Sequence, residues 1–153
     1  MTGIGYDVHQ LVTNRPLVLG GVTIPHSHGL AGHSDADVLC HAIADAILGA
    51  MGEPDIGHFF PPDDPACKDM SSLRILEKCR ELAGTLGHTI INVDSTLIAE
   101  APRILRVVAQ LEAKSVATAA VSAAWMPTSS RAFPSGTLPP ASCWWKQPVA
   151  RSI

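Results

Sequence analysis

Asp7, His9 and His41 offer one carboxylate and two imidazoles, with no thiolate among them. Three such ligands suit a divalent cation and leave a coordination position open, as in a catalytic zinc site, and the same ligand types also accept Mn²⁺ or Mg²⁺. Asp7 and His9 are two residues apart, so in an extended chain they face the same way, separated by about 7 Å along the backbone. His41 is preceded at i−4 by Asp37 and followed at i+4 by Asp45. A metal-bound imidazole needs a partner for its other nitrogen, which makes either acid a candidate to orient His41. Five of the seven histidines fall between positions 9 and 41, a clustering that favours a site.

The elements that must carry these residues follow from periodicity. Gly3 to Val12 alternates, with Ile4, Tyr6 and Val8 on one side and Gly5, Asp7 and His9 on the other, which predicts a strand. Leu17 to Pro25 reads as a hairpin turning at Gly20-Gly21. A helix is expected from about Asp35 to Ala50. Ser34 would be its N-cap, Asp37 the acid three residues on, and Gly49 and Gly52 its exits. That helix has almost no solvent-loving face, which implies cover on several sides, including by another subunit. The Pro- and Asp-rich stretch from Pro54 to Pro65 predicts a long ordered loop of the kind that carries function. A second helix is expected from Ser71 or Ser72 to about Gly84, with Leu73, Leu76, Cys79, Arg80 and Ala83 at helical spacing. His88 to Ala99 is β-branched and apolar and predicts a central strand. Pro102 opens a third helix, with Arg103 beside amides suited to a phosphate.

The 153 residues, 46% hydrophobic and 16% charged, predict one globular domain with its own core. No run of 18 apolar residues occurs, and the first five residues lack a signal-peptide pattern, so a cytoplasmic protein without a membrane partner is expected. Four cysteines without C-x-x-C pairing fit a reducing compartment. A net charge of −3 argues against nucleic acid as partner. The average conceals a break. Residues 1 to 112 hold all 14 acids and a net charge of −7, whereas the last 41 residues hold no acid, four bases, all three Trp and five of the 12 Pro.

Several segments together resemble one family. They are Asp7-Val8-His9, Leu19-Gly20-Gly21-Val22-x-Ile24-Pro25, Gly29-Leu30-x-x-His33-Ser34-Asp35-Ala36-Asp37-Val38-x-x-His41-Ala42-x-x-Asp45, Asp55-Ile56-Gly57-x-x-Phe60-Pro61 and Ile98-Ala99-x-Ala101-Pro102-Arg103. In this order, over about residues 3 to 111, they resemble the 2-C-methyl-D-erythritol 2,4-cyclodiphosphate synthases. The resemblance implies a phosphorus-oxygen lyase of the non-mevalonate isoprenoid pathway. Its substrate would be 4-diphosphocytidyl-2-C-methyl-D-erythritol 2-phosphate, closed to the cyclic diphosphate with release of CMP. It also implies a single α+β, ferredoxin-like domain with a mixed sheet packed on helices, and a homotrimer with sites between subunits. Asp7, His9 and His41 would then hold Zn²⁺. His33 and Ser34 would contact phosphate and methylerythritol, and Asp55, Ile56, Gly57, Phe60 and Asp64 would lie along the methylerythritol side. Ala99, Pro102, Arg103, Ile104 and Leu105 would follow the cytidine diphosphate.

The resemblance stops after Leu111. The family's Thr-Thr-x-Glu turn and its Gly-Phe-x-Gly-Arg segment have no counterpart in residues 112 to 153, an aberrant tail within the single domain of 1 to 153. The family's Glu ligand to a second divalent ion is therefore missing, and that ion would rest on the substrate phosphates. Composition and length suggest a frame-changed reading of a normal C-terminus. Two readings compete with an active synthase: an inactive metal- or nucleotide-binding relative, and a metal-dependent phosphohydrolase using the same three ligands.

Overall fold

The structure is a computed structural model in which residues 1–102 are described. Four short strands come first: β1 (Leu11–Thr13), β2 (Leu17–Leu19), β3 (Val22–Ile24) and β4 (His28–Leu30). The helices α1 (Val38–Met51), α2 (Ile56–Phe59) and α3 (Leu73–Thr85) follow, with a 3₁₀ turn at Pro65–Cys67 between the last two. β1 pairs antiparallel with β4, Leu11 opposite Leu30, and β2 pairs antiparallel with β3, Leu17 opposite Ile24. Small antiparallel ladders packed on helices make this an α+β arrangement, and no mixed sheet occurs among the described residues.

The hairpin forms where the sequence predicts it. Gly20 and Gly21 sit at φ 56° and 71°, the left-handed pair that a two-residue turn with matching twist requires. Leu17 and Leu19 then point inward with Ile24, Leu30 and Ala36 to make one core cluster, all at 7% exposure or less. A second cluster joins Ala44 and Leu48 of α1 to Ile75 and Cys79 of α3. Each fully buried aliphatic side chain of this kind contributes about 1.5–3 kcal/mol. α1 thus lies between two cores, the physical basis of its nearly all-apolar sequence. On α3 the buried line is Ile75, Cys79 and Ala83, while Arg80 is exposed, so the inward face is rotated from the expected one.

α1 starts later than expected. Its N-cap is Asp37, whose carboxylate accepts the Cys40 N–H at 3.1 Å. Ser34 is excluded from that role because Ala36 adopts φ 57°, a left-handed conformation that breaks any helix begun before it. Ser34 Oγ instead accepts the Ala36 N–H at 3.2 Å and Asp35 Oδ1 the Asp37 N–H at 3.3 Å, local side-chain bonds that compete with helix. At the other end Gly52, at φ 75°, closes the helix, and Gly49 lies inside it.

Of the strand expected over 3–12 only Leu11 and Val12 join a ladder, in β1, and residues 88–99 form none among the described residues. Residues 3–10 keep the predicted alternation outside any assigned strand: Ile4, Tyr6 and Val8 are 92%, 82% and 73% exposed, while Asp7 and His9 are half-buried. Residues 88–99 carry one isolated bridge, at Val93. Strand content depends on cross-strand bonds as much as on composition. Both segments line a cavity of about 730 Å³, together with Leu17, Leu19, Leu30 and Ile43. The helix expected from Pro102, and the whole tail, lie outside the described residues.

Candidate metal centre

A close backbone contact places the first two ligands. A Cβ on Gly3 would stand 1.9 Å from the Ala46 carbonyl oxygen, and one on Gly5 would stand 1.9 Å from that of Ala42. Residues 3–9 therefore lie directly on α1, over its alanines at 42, 46 and 50, and only glycine allows this approach. Asp7 and His9 share a side of the segment with these glycines, and His41 is the residue just before Ala42 on α1, so the three side chains meet.

Asp7 Oδ2 lies 2.8 Å from His9 Nε2 and 3.1 Å from His41 Nδ1, and the two rings are 5.6 Å apart, tilted by 56°. One ligand atom from each residue falls within 4.8 Å of the others. Four donors held tetrahedrally at about 2.0–2.1 Å from an ion are about 3.4 Å apart, so this group is of the size a zinc-like cation needs. The outward nitrogens are also accounted for. His9 Nδ1 bonds the Ala31 carbonyl, and His41 Nε2 lies 2.8 Å from Ser72 Oγ and 3.3 Å from Ser34 Oγ. The Ala31 carbonyl only accepts, so His9 carries a proton on Nδ1, and Nε2 is the nitrogen turned toward Asp7. The donor set therefore fits a divalent cation with a free position. Burial by itself would raise the Asp7 carboxyl, yet the His41 hydrogen bond, the His9 charge and the Val8 N–H together hold it below the usual carboxylate value. Asp7 is thereby kept in the ionised form that ligation requires.

Asp37 and Asp45 do not orient His41. Asp37, fully buried, accepts the Gly20 and Gly21 N–H groups at 2.9 and 2.6 Å besides capping α1, which ties the hairpin turn to the helix. Asp45 Oδ1 accepts the Ile56 N–H at 3.0 Å and anchors the loop after α1. Backbone N–H groups at a turn or a helix start need acceptors, and a carboxylate beside them is drawn to them first. Helical spacing shows only neighbours on the same helix, and the partner of His41, Ser72, is 31 residues away.

Ser34 reaches the His41 ring, whereas the His33 side chain is exposed beside it. Arg15 holds this loop by donating from Nη1 to Gly32 O at 2.5 Å and from Nη2 to Ser34 O at 2.6 Å. Asp55 caps α2 and Asp64 caps the 3₁₀ turn, while Ile56 and Phe60 pack on the second core cluster and Gly57 is exposed. Ala99 is exposed and Pro102 half-buried, and Arg103, Ile104 and Leu105 lie outside the described residues. Arg15, Asp35 and Ser72 are not legible as site residues in the sequence. Ser72 reads as a helix cap, but its side chain makes no capping bond.

Comparison with known proteins agrees with the resemblance read from the sequence. The model of the YgbB family matches residues 1–126, which carries the match past Leu111, where the resemblance read from the sequence ends. A protein of Akkermansia muciniphila named 2-C-methyl-D-erythritol 2,4-cyclodiphosphate synthase is 65% identical over 105 residues, covering 68% of this chain and 62% of that protein. One of the same name from Syntrophotalea carbinolica is 60% identical over 102 residues, covering 67% and 62%. The matched region thus spans less than two thirds of these relatives' length. A solved structure titled as 2C-methyl-D-erythritol-2,4-cyclodiphosphate synthase in a CDP-bound form superposes with a TM-score of 0.69 at 34% identity, covering 74% of this chain and 75% of that one. A Plasmodium falciparum IspF CDP complex gives 0.60 at 35% identity, covering 73% and 68%. The chain belongs to the YgbB family, the family of proteins named 2-C-methyl-D-erythritol 2,4-cyclodiphosphate synthase.

Proposed function

We propose that the chain acts as a 2-C-methyl-D-erythritol 2,4-cyclodiphosphate synthase of the non-mevalonate isoprenoid route, taking 4-diphosphocytidyl-2-C-methyl-D-erythritol 2-phosphate to the cyclic diphosphate and CMP. The observation that carries this reading is the convergence of Asp7, His9 and His41 in a chain of this family. These three would hold a divalent cation, Zn²⁺ by donor type, with Mn²⁺ or Mg²⁺ as substitutes. When bound, the cation supplies positive charge that neutralises diphosphate oxygens.

The reaction joins a 2-phosphate oxygen to the β-phosphorus and breaks the bond from that phosphorus to the oxygen shared with CMP. Two anions must be brought together in line, so positioning and charge neutralisation carry most of the rate. His33 and Ser34 are assigned to a phosphate and the methylerythritol. The Arg15 bonds to the backbone on either side of His33 support that role by fixing the loop. Asp55, Ile56, Gly57, Phe60 and Asp64 are assigned to the methylerythritol, and Ala99, Pro102, Arg103, Ile104 and Leu105 to the cytidine diphosphate. A second divalent ion would be held through the substrate phosphates, since no acid follows Glu112. A ferredoxin-like fold, a homotrimer with sites between subunits and a cytoplasmic location complete the proposal. The exposed Ile4, Tyr6 and Val8 side chains are consistent with further cover.

Product analysis with the cytidylyl substrate and added Zn²⁺ and Mg²⁺ tests the reading. Cyclic diphosphate with an equal amount of CMP is expected. Free phosphate without the cyclic product would make the chain a phosphohydrolase, and no turnover with metal bound would make it an inactive relative.

A further inference from the structure

The imidazole of His41 ends a chain of hydrogen bonds that leads away from the three ligands. Its Nε2 is 2.8 Å from Ser72 Oγ. Ser72 Oγ in turn hydrogen-bonds Asp35 Oδ1, and the Ser72 N–H bonds Asp35 Oδ2 at 3.0 Å. Ser72 is fully buried, His41 is 8% exposed and Asp35 is half-buried. The two segments that bring these groups together are laced by backbone bonds as well, Asp35 N to Met70 O and Asp69 N to His33 O, both at 3.0 Å. α1 and α3 come from distant parts of the chain, so this contact is made only when their packing is complete.

We infer that Asp35 and Ser72 are positioning residues that keep a proton on His41 Nε2 and turn Nδ1, 3.1 Å from Asp7 Oδ2, toward the other two ligands. The directions of the bonds follow from what each group can give. An Asp35 carboxylate has no proton, so it accepts both the hydroxyl and the amide proton of Ser72. With its one hydroxyl proton given to Asp35, Ser72 Oγ can only accept at its other side, so the His41 Nε2–H donates to it. Ser34 Oγ, at 3.3 Å, is a second acceptor for the same proton. Nδ1, hydrogen-bonded to the Asp7 carboxylate, is then the one ring nitrogen left to give a lone pair to a cation. The carboxylate acts on the ring through the hydroxyl and contacts no ligand atom itself. This inference deepens the proposed metal site and rests on that reading for its metal-binding consequence, but the Nε2 proton is a property of the chain without metal.

The test has two readouts on the full chain. The first is the His41 ring ¹⁵N spectrum above neutral pH without metal. The unmodified chain should show Nε2 protonated, with slow solvent exchange of that proton, and Ser72→Ala and Asp35→Asn should both show fast exchange at Nε2. The second is Zn²⁺ affinity by competition with a chromophoric chelator, together with the Co²⁺ absorption spectrum. Ser72→Ala and Asp35→Asn should bind Zn²⁺ about 10- to 100-fold more weakly and shift the Co²⁺ bands, the usual effect of losing a ligand's hydrogen-bond partner. Ser72→Thr, which keeps the hydroxyl, should recover most of the affinity. Ser72 makes no side-chain capping bond, so its replacement leaves the start of α3 intact, and Asp35→Asn is a second, isosteric probe. An unprotonated Nε2 in the unmodified chain, or exchange at Nε2 unchanged in both variants, overturns the inference. If the unmodified chain binds no Zn²⁺, the proposed metal site fails, and the ring spectrum alone decides the relay.

Discussion

Gly5 rests on the Ala42 carbonyl so closely that a Cβ at position 5 would lie 1.9 Å from its oxygen. No side-chain rotation relieves such a clash, because the obstacle is helical backbone. Gly5→Ala should push residues 3–9 off α1 and carry Asp7 and His9 away from His41. Forced overpacking costs about 1–3 kcal/mol. Thermal melting should fall accordingly, and Zn²⁺ content per chain should drop with it. Full metal content in a stably folded Gly5→Ala chain would show that this contact does not build the site.

Asp37 tests how the turn at Gly20-Gly21 is attached to α1. Its buried carboxylate receives three backbone N–H groups, from Gly20, Gly21 and Cys40. Replacing it by Ala takes this acceptor from all three, and a buried donor left unsatisfied costs about 1–3 kcal/mol. A loss of about 3 kcal/mol in urea denaturation is expected for Asp37→Ala. Asp45→Ala, which frees only the Ile56 N–H, should lose about 1 kcal/mol. Equal losses would refute this division of labour.

The metal ligands are legible in the sequence because each depends on a short-range rule. Alternation puts Asp7 and His9 on one side of the segment, and helical periodicity puts His41 on a covered face of α1. The hairpin is legible from Gly20-Gly21 for the same reason. What distant packing decides is not. The true start of α1 depends on Ala36 at positive φ, and a non-glycine residue gives no warning of that conformation. The role of Asp35 depends on Ser72, which folding alone brings to it. The expected strands at 3–12 and 88–99 have the right composition, but among the described residues only Leu11 and Val12 of the first find the ladder that makes a strand.

The buried cysteines give a pH dependence. Burial, followed by the Asp45 charge, pushes the Cys79 thiol from 9.0 to about 11. Burial and the Asp37 charge move Cys40 in the same direction. Between pH 9 and 11 an unfolded chain has released a Cys79 proton that the folded chain still holds, so stability falls as pH rises through this window and is full below it. Urea denaturation at a series of alkaline pH values should show this decline, and Cys79→Ala should show a shallower one from a lower starting stability. The thiolate is the reactive form, so Cys40 and Cys79 should also resist alkylation at about pH 8 in the folded chain. Rapid labelling of either, read by peptide mass mapping, would contradict their protonated, buried state.

Arg15 is the last point of leverage, since it grips two carbonyls that flank His33. The planar guanidinium reaches Gly32 O and Ser34 O with separate nitrogens, a geometry that a lysine ammonium on a flexible stem does not reproduce. Arg15 is half-buried, so solvent screens part of the interaction, and the net worth of its grip is taken as one charge-assisted bond, about 1.5 kcal/mol. Arg15→Ala should therefore speed amide hydrogen exchange in residues 31–36 by about 10-fold while leaving α3 unchanged. Arg15→Lys should restore less than half of the lost protection. If His33 and Ser34 bind phosphate as proposed, the same variants should raise KM for the cytidylyl substrate with little change in Zn²⁺ content. Loss of zinc in place of a change in KM would mean that Arg15 supports the metal ligands and not the phosphate loop.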